Sequence, residues 1–110
     1  MFKYALAFAS LVGFLWAQAP SGGVSFERIL RANQEPQNWL TYSGTVLGQR
    51  YSQLKQITPA NVKNLELQWL WQARSLEKFE ATALVVDGVL YTVQAPNDVV
   101  ALDAVTGRVF

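Results

Sequence analysis

The chain has 110 residues, about half of them apolar, with 9 basic and 8 acidic side chains and neither cysteine nor histidine. The missing residue types exclude disulfides, Cys/His zinc sites and His-based catalytic triads within these residues. Without Lys3, which lies in a leader-like stretch, the remaining charges balance, so the chain as a whole offers no electrostatic footprint for nucleic acid or an anionic membrane.

Residues 1–19 read as a secretory signal peptide. Lys3 supplies a positive start, Ala5 to Trp16 is an uncharged apolar run, and Ala17-Gln18-Ala19 carries small residues where signal peptidase needs them. Pro20 opposes cleavage directly after Ala19, which leaves cleavage after Ala17 or retention as a membrane anchor open. The run is shorter than the roughly 20 apolar residues that span a bilayer, so export to the periplasm or medium is the expectation.

Pro20-Ser21-Gly22-Gly23 has the composition of a junction between leader and mature chain. A short helix is predicted from Ser25 to Ala32, with Ser25 as N-cap and Phe26, Ile29 and Leu30 spaced to pack on a larger body. Asn33 to Asn38 is a polar loop broken by Pro36. The next segment, Trp39-Leu40-Thr41-Tyr42-Ser43-Gly44 with Gln49-Arg50-Tyr51-Ser52, predicts an irregular aromatic stretch pinned to a sheet edge. Thr58 as N-cap and Pro59 at the first helical position predict a short helical turn over residues 59–64. In Glu66 to Ala73, Leu67, Trp69 and Trp71 alternate with more polar neighbours, the period-2 pattern of a half-buried strand. Arg74 to Phe79 reads as a solvated loop.

Two β-hairpins follow. Ala83 to Val86 and Val89 to Val93 flank Asp87-Gly88, a pair suited to a type I′ turn. Val99 to Asp103 and Arg108 to Phe110 flank a longer turn in which Gly107 supplies the left-handed conformation. Two hairpins alone make a marginal sheet, so the chain is expected to need further structure to complete a core.

No nucleophile with an adjacent base and no clustered set of metal ligands stands out, so no catalytic or metal-binding residue is assigned. Asp87, Asp98 and Asp103 sit where turn aspartates bond neighbouring backbone, and Asn97-Asp98 reads as a turn after Pro96. Glu77 and Glu80 lie in a loop, and a loop glutamate taken by itself is more often solvated than functional.

Ala101-Leu102-Asp103-Ala104-Val105-Thr106-Gly107-Arg108 resembles the blade-ending repeat of the quinoprotein, or PQQ-dependent, dehydrogenases of the methanol and ethanol dehydrogenase type, Ala-x-Asp-x-x-Thr-Gly-x-x-x-Trp. The repeat's docking Trp would fall at position 111, one past Phe110, which points to an N-terminal fragment. The aromatic stretch is similar to the family's Trp-x-x-Tyr-x-Gly…Arg-Tyr-Ser-Pro-Leu segment, with Gln53 in place of Pro and Val46-Leu47 in place of more polar residues. Gln56-Ile57 through Leu65 resembles its Gln-Ile-x-x-x-Asn-Val-x-x-Leu lead into the first blade. Glu80-Ala81-Thr82 through Tyr91 resembles Glu-(Ala/Ser/Gly)-x-Pro-x-x-x-Asp-Gly-x-x-Tyr, with Ala83 in place of Pro.

The resemblance implies an all-β fold: the outer strand and first blade strands of an eight-bladed β-propeller, preceded by short helices. Residues 20–65 would form an N-terminal extension and residues 66–110 the start of the propeller. It implies oxidation of an alcohol to an aldehyde, with pyrroloquinoline quinone as electron acceptor, Ca²⁺ or a lanthanide as Lewis acid, and a cytochrome c as the next carrier. Glu80 corresponds to the glutamate that hydrogen-bonds the quinone. The family's metal ligands, Asp base and vicinal cysteine pair match no position here, so this chain alone is expected to be inactive. Two other readings use the same residues: a non-enzymatic propeller scaffold that binds proteins, and a small secreted β-domain complete in itself.

Overall fold

Asp87-Gly88 does what its sequence predicts. In the computed structural model, which describes residues 23–110, Asp87 and Gly88 both take positive φ, 50° and 82°. Their turn joins strands β1 (Leu84–Val86) and β2 (Val89–Gln94) in the register Val86 to Val89, Val85 to Leu90 and Leu84 to Tyr91. The leader reading of residues 1–19 lies outside the described residues. So does most of the junction that follows it.

The two predicted hairpins fuse into one antiparallel meander. β2 pairs along its whole length with β3 (Asp98–Asp103), from Val89 opposite Asp103 to Gln94 opposite Asp98. Asp98, expected in a turn with Asn97, is therefore the first residue of a strand. Beyond β3 the chain folds back through Gly107, at φ 71°, so that Val109 bridges Leu102. Asp103 N–H donates to the Arg108 carbonyl and Phe110 N–H to that of Ala101, each at 2.8 Å. Leu102, at 1% exposure, is the most deeply buried apolar residue, with Leu40 and Ala32 the other buried ones among the described residues.

Gly88 faces open space, so a Cβ there meets nothing and only the backbone conformation is at stake. Gly88→Ala is expected to cost about 1–2 kcal/mol of stability, the penalty for an L-residue in the left-handed region. Urea unfolding of the full-length polypeptide, with the midpoint compared to wild type, checks this.

Helix α1 (Phe26–Leu30) starts where expected, with Ser25 Oγ accepting from the Arg28 N–H at 3.1 Å. It is shorter than predicted, giving way to a 3₁₀ turn at Ala32–Gln34. Within the described residues Phe26 is 71% exposed, Leu30 is exposed and Ile29 is half-buried. The helix docks on the β1–β2 turn through Arg28. At residues 58–64 the predicted cap is corrected as well. Asn61 Oδ1 accepts from the Thr58 N–H at 2.7 Å and its Nδ2 donates to the Gln56 carbonyl, and the helical part is a 3₁₀ turn at Val62–Asn64. With Pro59 lacking an N–H, the short turn is closed by the longer Asn side chain.

Glu66 to Ala73 is extended but carries no strand ladder. Trp69, Trp71 and Ala73 are half-buried while Gln68, Leu70 and Gln72 are exposed, so the predicted alternation is there without the hydrogen-bonded partner that defines a strand. Leu67 departs from it and is exposed. No helix among the described residues is long and apolar enough to cross a membrane.

Candidate functional site

Two tryptophans seated on two glycines organise what lies around the meander. Trp39 pairs with Val85 through both backbone bonds, 2.8 and 3.1 Å, and so pins the aromatic segment to the free edge of β1 as the sequence predicts. Its indole ring covers Gly44, where a Cβ would lie 2.9 Å from the ring and φ is 85°. The Trp39 Nε1–H reaches the Tyr42 carbonyl at 3.4 Å. The Trp-x-x-Tyr-x-Gly spacing is thus one closed unit.

The second seat is in the repeat Ala101 to Arg108. The Asp103 carboxylate accepts from the Thr106 and Val105 N–H groups at 2.8 and 2.9 Å, which hold its pKa below the usual carboxylate value, the Thr106 bond being the larger cause. Gly107 then passes under Trp69, whose Nε1–H donates to the Ala104 carbonyl at 3.2 Å. Sequence reasoning looked for a docking Trp after the repeat. Trp69, which lies well before it, takes a seat on the repeat's glycine.

Glu80 lies in the exposed connection ahead of β1, which begins at Leu84. None of the three ion pairs of the described residues includes it. The other acids of the meander are engaged: Asp103 with its own turn, and Asp98 as acceptor from the Gln94 amide at 3.1 Å. Gln94 is buried and also accepts from the Arg74 N–H, tying the connection to β2.

Asp87 does not cap its own backbone as expected. Its carboxylate is held by the Arg28 guanidinium, whose Nη1 donates at 2.9 Å and whose Nη2 also donates to it. Arg28 donates to Glu35 as well, at 2.7 Å from Nη2 and 3.0 Å from Nε. Asn38 closes the group, donating to both carboxylates and accepting the Asp87 N–H at 2.8 Å. The Arg28 bonds are the largest cause holding Glu35 and Asp87 below their usual pKa values. Both carboxylates raise that of Arg28 in return. No sequence spacing announces this clasp, because Arg28 and Asp87 lie on elements distant in the chain.

Among the described residues no group of three or more acidic, Cys or His side chains is placed to hold a metal ion. A depression of about 710 Å³ lies along Trp71, Arg74, Pro96, Asp98 and Val109 and does not include Glu80.

The family model of the PQQ β-propeller domain of glucose, ethanol and alcohol dehydrogenases matches residues 39–110. The chain is 49% identical over 71 residues to a 1-butanol dehydrogenase (cytochrome c) of Thauera butanivorans, covering 64% of this chain and 10% of that protein. Among solved structures it resembles the quinohemoprotein alcohol dehydrogenase ADH-IIG of Pseudomonas putida, with TM-score 0.75 and 45% identity over 78% of this chain and 13% of that one. It also resembles a europium-containing methanol dehydrogenase, with TM-score 0.67 and 30% identity over 76% of this chain and 15% of that one. The chain spans about one-eighth of the length of the curated relatives it matches, 13% for the first two. The meander with its tryptophan seats is therefore a portion of an all-β propeller, and the chain belongs to the PQQ-dependent alcohol dehydrogenase family.

Proposed function

We propose that these residues are the N-terminal part of a PQQ-dependent dehydrogenase that oxidises an alcohol to an aldehyde and passes electrons to a cytochrome c. Residues 1–19 would export it to the periplasm, residues 20–65 form its extension, and residues 66–110 begin its propeller. The observation that carries the cofactor assignment is the match of Glu80-Ala81-Thr82 through Tyr91 to the family's quinone-contacting motif, within the residues 39–110 that the family model covers. Glu80 is an exposed carboxylate just ahead of β1, outside every ion pair of the described residues.

PQQ, when bound, supplies the two-electron acceptor. Glu80 would hold it in orientation through a hydrogen bond and move no substrate proton. The described residues do not fit the Ca²⁺ or lanthanide that the resemblance implies, because no ligand cluster exists among them. No step is assigned to a metal on this segment.

A hydrogen bond involving a charged group contributes about 1.5–3 kcal/mol, so Glu80→Ala in the full-length polypeptide is expected to weaken PQQ binding by roughly ten- to a hundredfold. Glu80→Gln should lose less. Equilibrium dialysis against PQQ reads this directly, and unchanged affinity in Glu80→Ala would remove the assignment. Residues 20–110 expressed alone should show no PQQ-dependent dye reduction with an alcohol; turnover there would overturn the view that the base and metal ligands lie elsewhere.

A further inference from the structure

β2 alternates along its second half, with Tyr91 and Val93 exposed and Thr92 and Gln94 buried. Position 94 is inward-facing, yet it holds a carboxamide rather than an apolar side chain. A buried amide costs stability unless its donor and acceptor both find partners. Both do. Gln94 Oε1 accepts from the Arg74 N–H at 3.1 Å, and its Nε2–H donates at 3.1 Å to the carboxylate of Asp98, the residue opposite it on β3. A backbone N–H can only donate and an ionised carboxylate can only accept, so the two partners fix which way the amide faces. A carboxamide answers both demands, whereas an apolar side chain of the same size answers neither.

What Gln94 holds is the start of the connection that carries Glu80. Residues 74–83 run from the extended segment to β1, and Arg74 is the first of them. Further along, the Glu77 N–H donates to Ser75 Oγ at 3.1 Å. The Phe79 ring then lies 6.5 Å from that of Trp71, tilted at 60°, within the range of favourable aromatic pairs. Beyond the connection, Val85 is bonded to Trp39 through both backbone groups. Glu80 therefore stands on a connection fastened at its start, at the residue before Glu80, and in the strand that follows. Each of these contacts is made among the described residues, whatever else packs against them.

We propose that Gln94 is a positioning residue for the quinone contact: by holding the Arg74 end of the connection, it sets where the Glu80 carboxylate stands. The inference rests on the quinone reading of Glu80. Hydrogen bonds weaken steeply with misalignment, so a displaced carboxylate loses affinity while keeping its charge.

In the full-length polypeptide, Gln94→Met keeps the length of the side chain and removes both bonds. It is expected to weaken PQQ binding by roughly three- to tenfold, read by equilibrium dialysis. In a Glu80→Ala background the same substitution should change PQQ affinity no further, because its effect passes through that carboxylate. Gln94→Glu alone sets two carboxylates against each other and should also bind PQQ weakly. Combined with Asp98→Asn, it reverses donor and acceptor across the strand pair, leaves an oxygen for the Arg74 N–H, and should restore wild-type affinity. Amide exchange without PQQ gives a second reading: residues 74–80 should exchange faster in Gln94→Met and recover in the double variant, with the β2–β3 ladder unchanged.

Unchanged affinity in Glu80→Ala would remove the quinone reading and the positioning role with it. If Glu80→Ala weakens binding while Gln94→Met does not, or if Gln94→Met weakens it equally in both backgrounds, the positioning role alone falls. It falls equally if exchange of residues 74–80 is the same in Gln94→Met as in wild type, or if the double variant regains their protection without regaining affinity.

Discussion

Gly107→Ala is expected to destabilise the protein by about 2–5 kcal/mol. Two costs combine there. The first is the left-handed backbone, φ 71°, which charges an L-residue about 1–2 kcal/mol. The second is steric: a Cβ would lie 2.5 Å from Trp69 Cε3 and 2.6 Å from Cδ2. Overpacking of this kind costs about 1–3 kcal/mol. Trp69 cannot simply swing away, because its Nε1–H is bonded to the Ala104 carbonyl in the same turn. The two costs separate in a double-mutant cycle. In a Trp69→Ala background the alanine at 107 should cost only the backbone part, about 1–2 kcal/mol. Equal penalties in the two backgrounds, by urea unfolding, would show that Trp69 does not sit on this glycine.

That seat also shows where the sequence was readable and where it was not. Asp87-Gly88 and Asp103 to Gly107 are local devices: φ signs and carboxylate-to-amide bonds are decided within a few residues, and both form as predicted. The pinning of the Trp39 segment to a sheet edge was legible, but the seat of its ring on Gly44 was not predicted. Neither was that of Trp69 on Gly107. Alternation identified Trp69 as inward-facing but could not say what lay inward. The Glu66 to Ala73 stretch keeps its alternation yet lacks a ladder, because hydrogen-bonded pairing needs a neighbour that none of the described residues supplies. The quinone assignment of Glu80 came from resemblance alone, as an exposed loop carboxylate has no local signature. Arg28 was missed outright. Its helix was expected to pack by its apolar side on a larger body, and no local pattern marks Arg28 as the residue that fastens the helix to Asp87.

The clasp has a pH dependence whose sign follows from its bonds. Arg28 donates to Glu35 and Asp87, and Asn38 adds an amide to each, so both carboxylates titrate below their ordinary values of 4.5 and 3.8. A group with a depressed folded pKa contributes stability that is present above its unfolded pKa and is lost as pH falls through the folded one. The attachment of residues 23–38 to the β1–β2 turn is therefore expected to hold at neutral pH and to loosen below about pH 4, while Arg28 stays charged throughout. Amide exchange of residues 26–38 followed from pH 7 downward, with the β2–β3 ladder as internal reference, would read the release. Arg28→Met should invert the trend. Without the guanidinium, whose side chain is only 11% exposed, Glu35 and Asp87 are left as two neighbouring carboxylates that repel at neutral pH, and protonation relieves them. The variant's helix should be less protected than wild type at pH 7 and gain protection on acidification. Asp87→Asn should abolish most of the pH dependence while leaving Glu35 paired with Arg28. If wild type and Arg28→Met lose protection in parallel, the clasp is not what fastens the helix, and the exposed Phe26 and Leu30 would have to find an apolar partner after all.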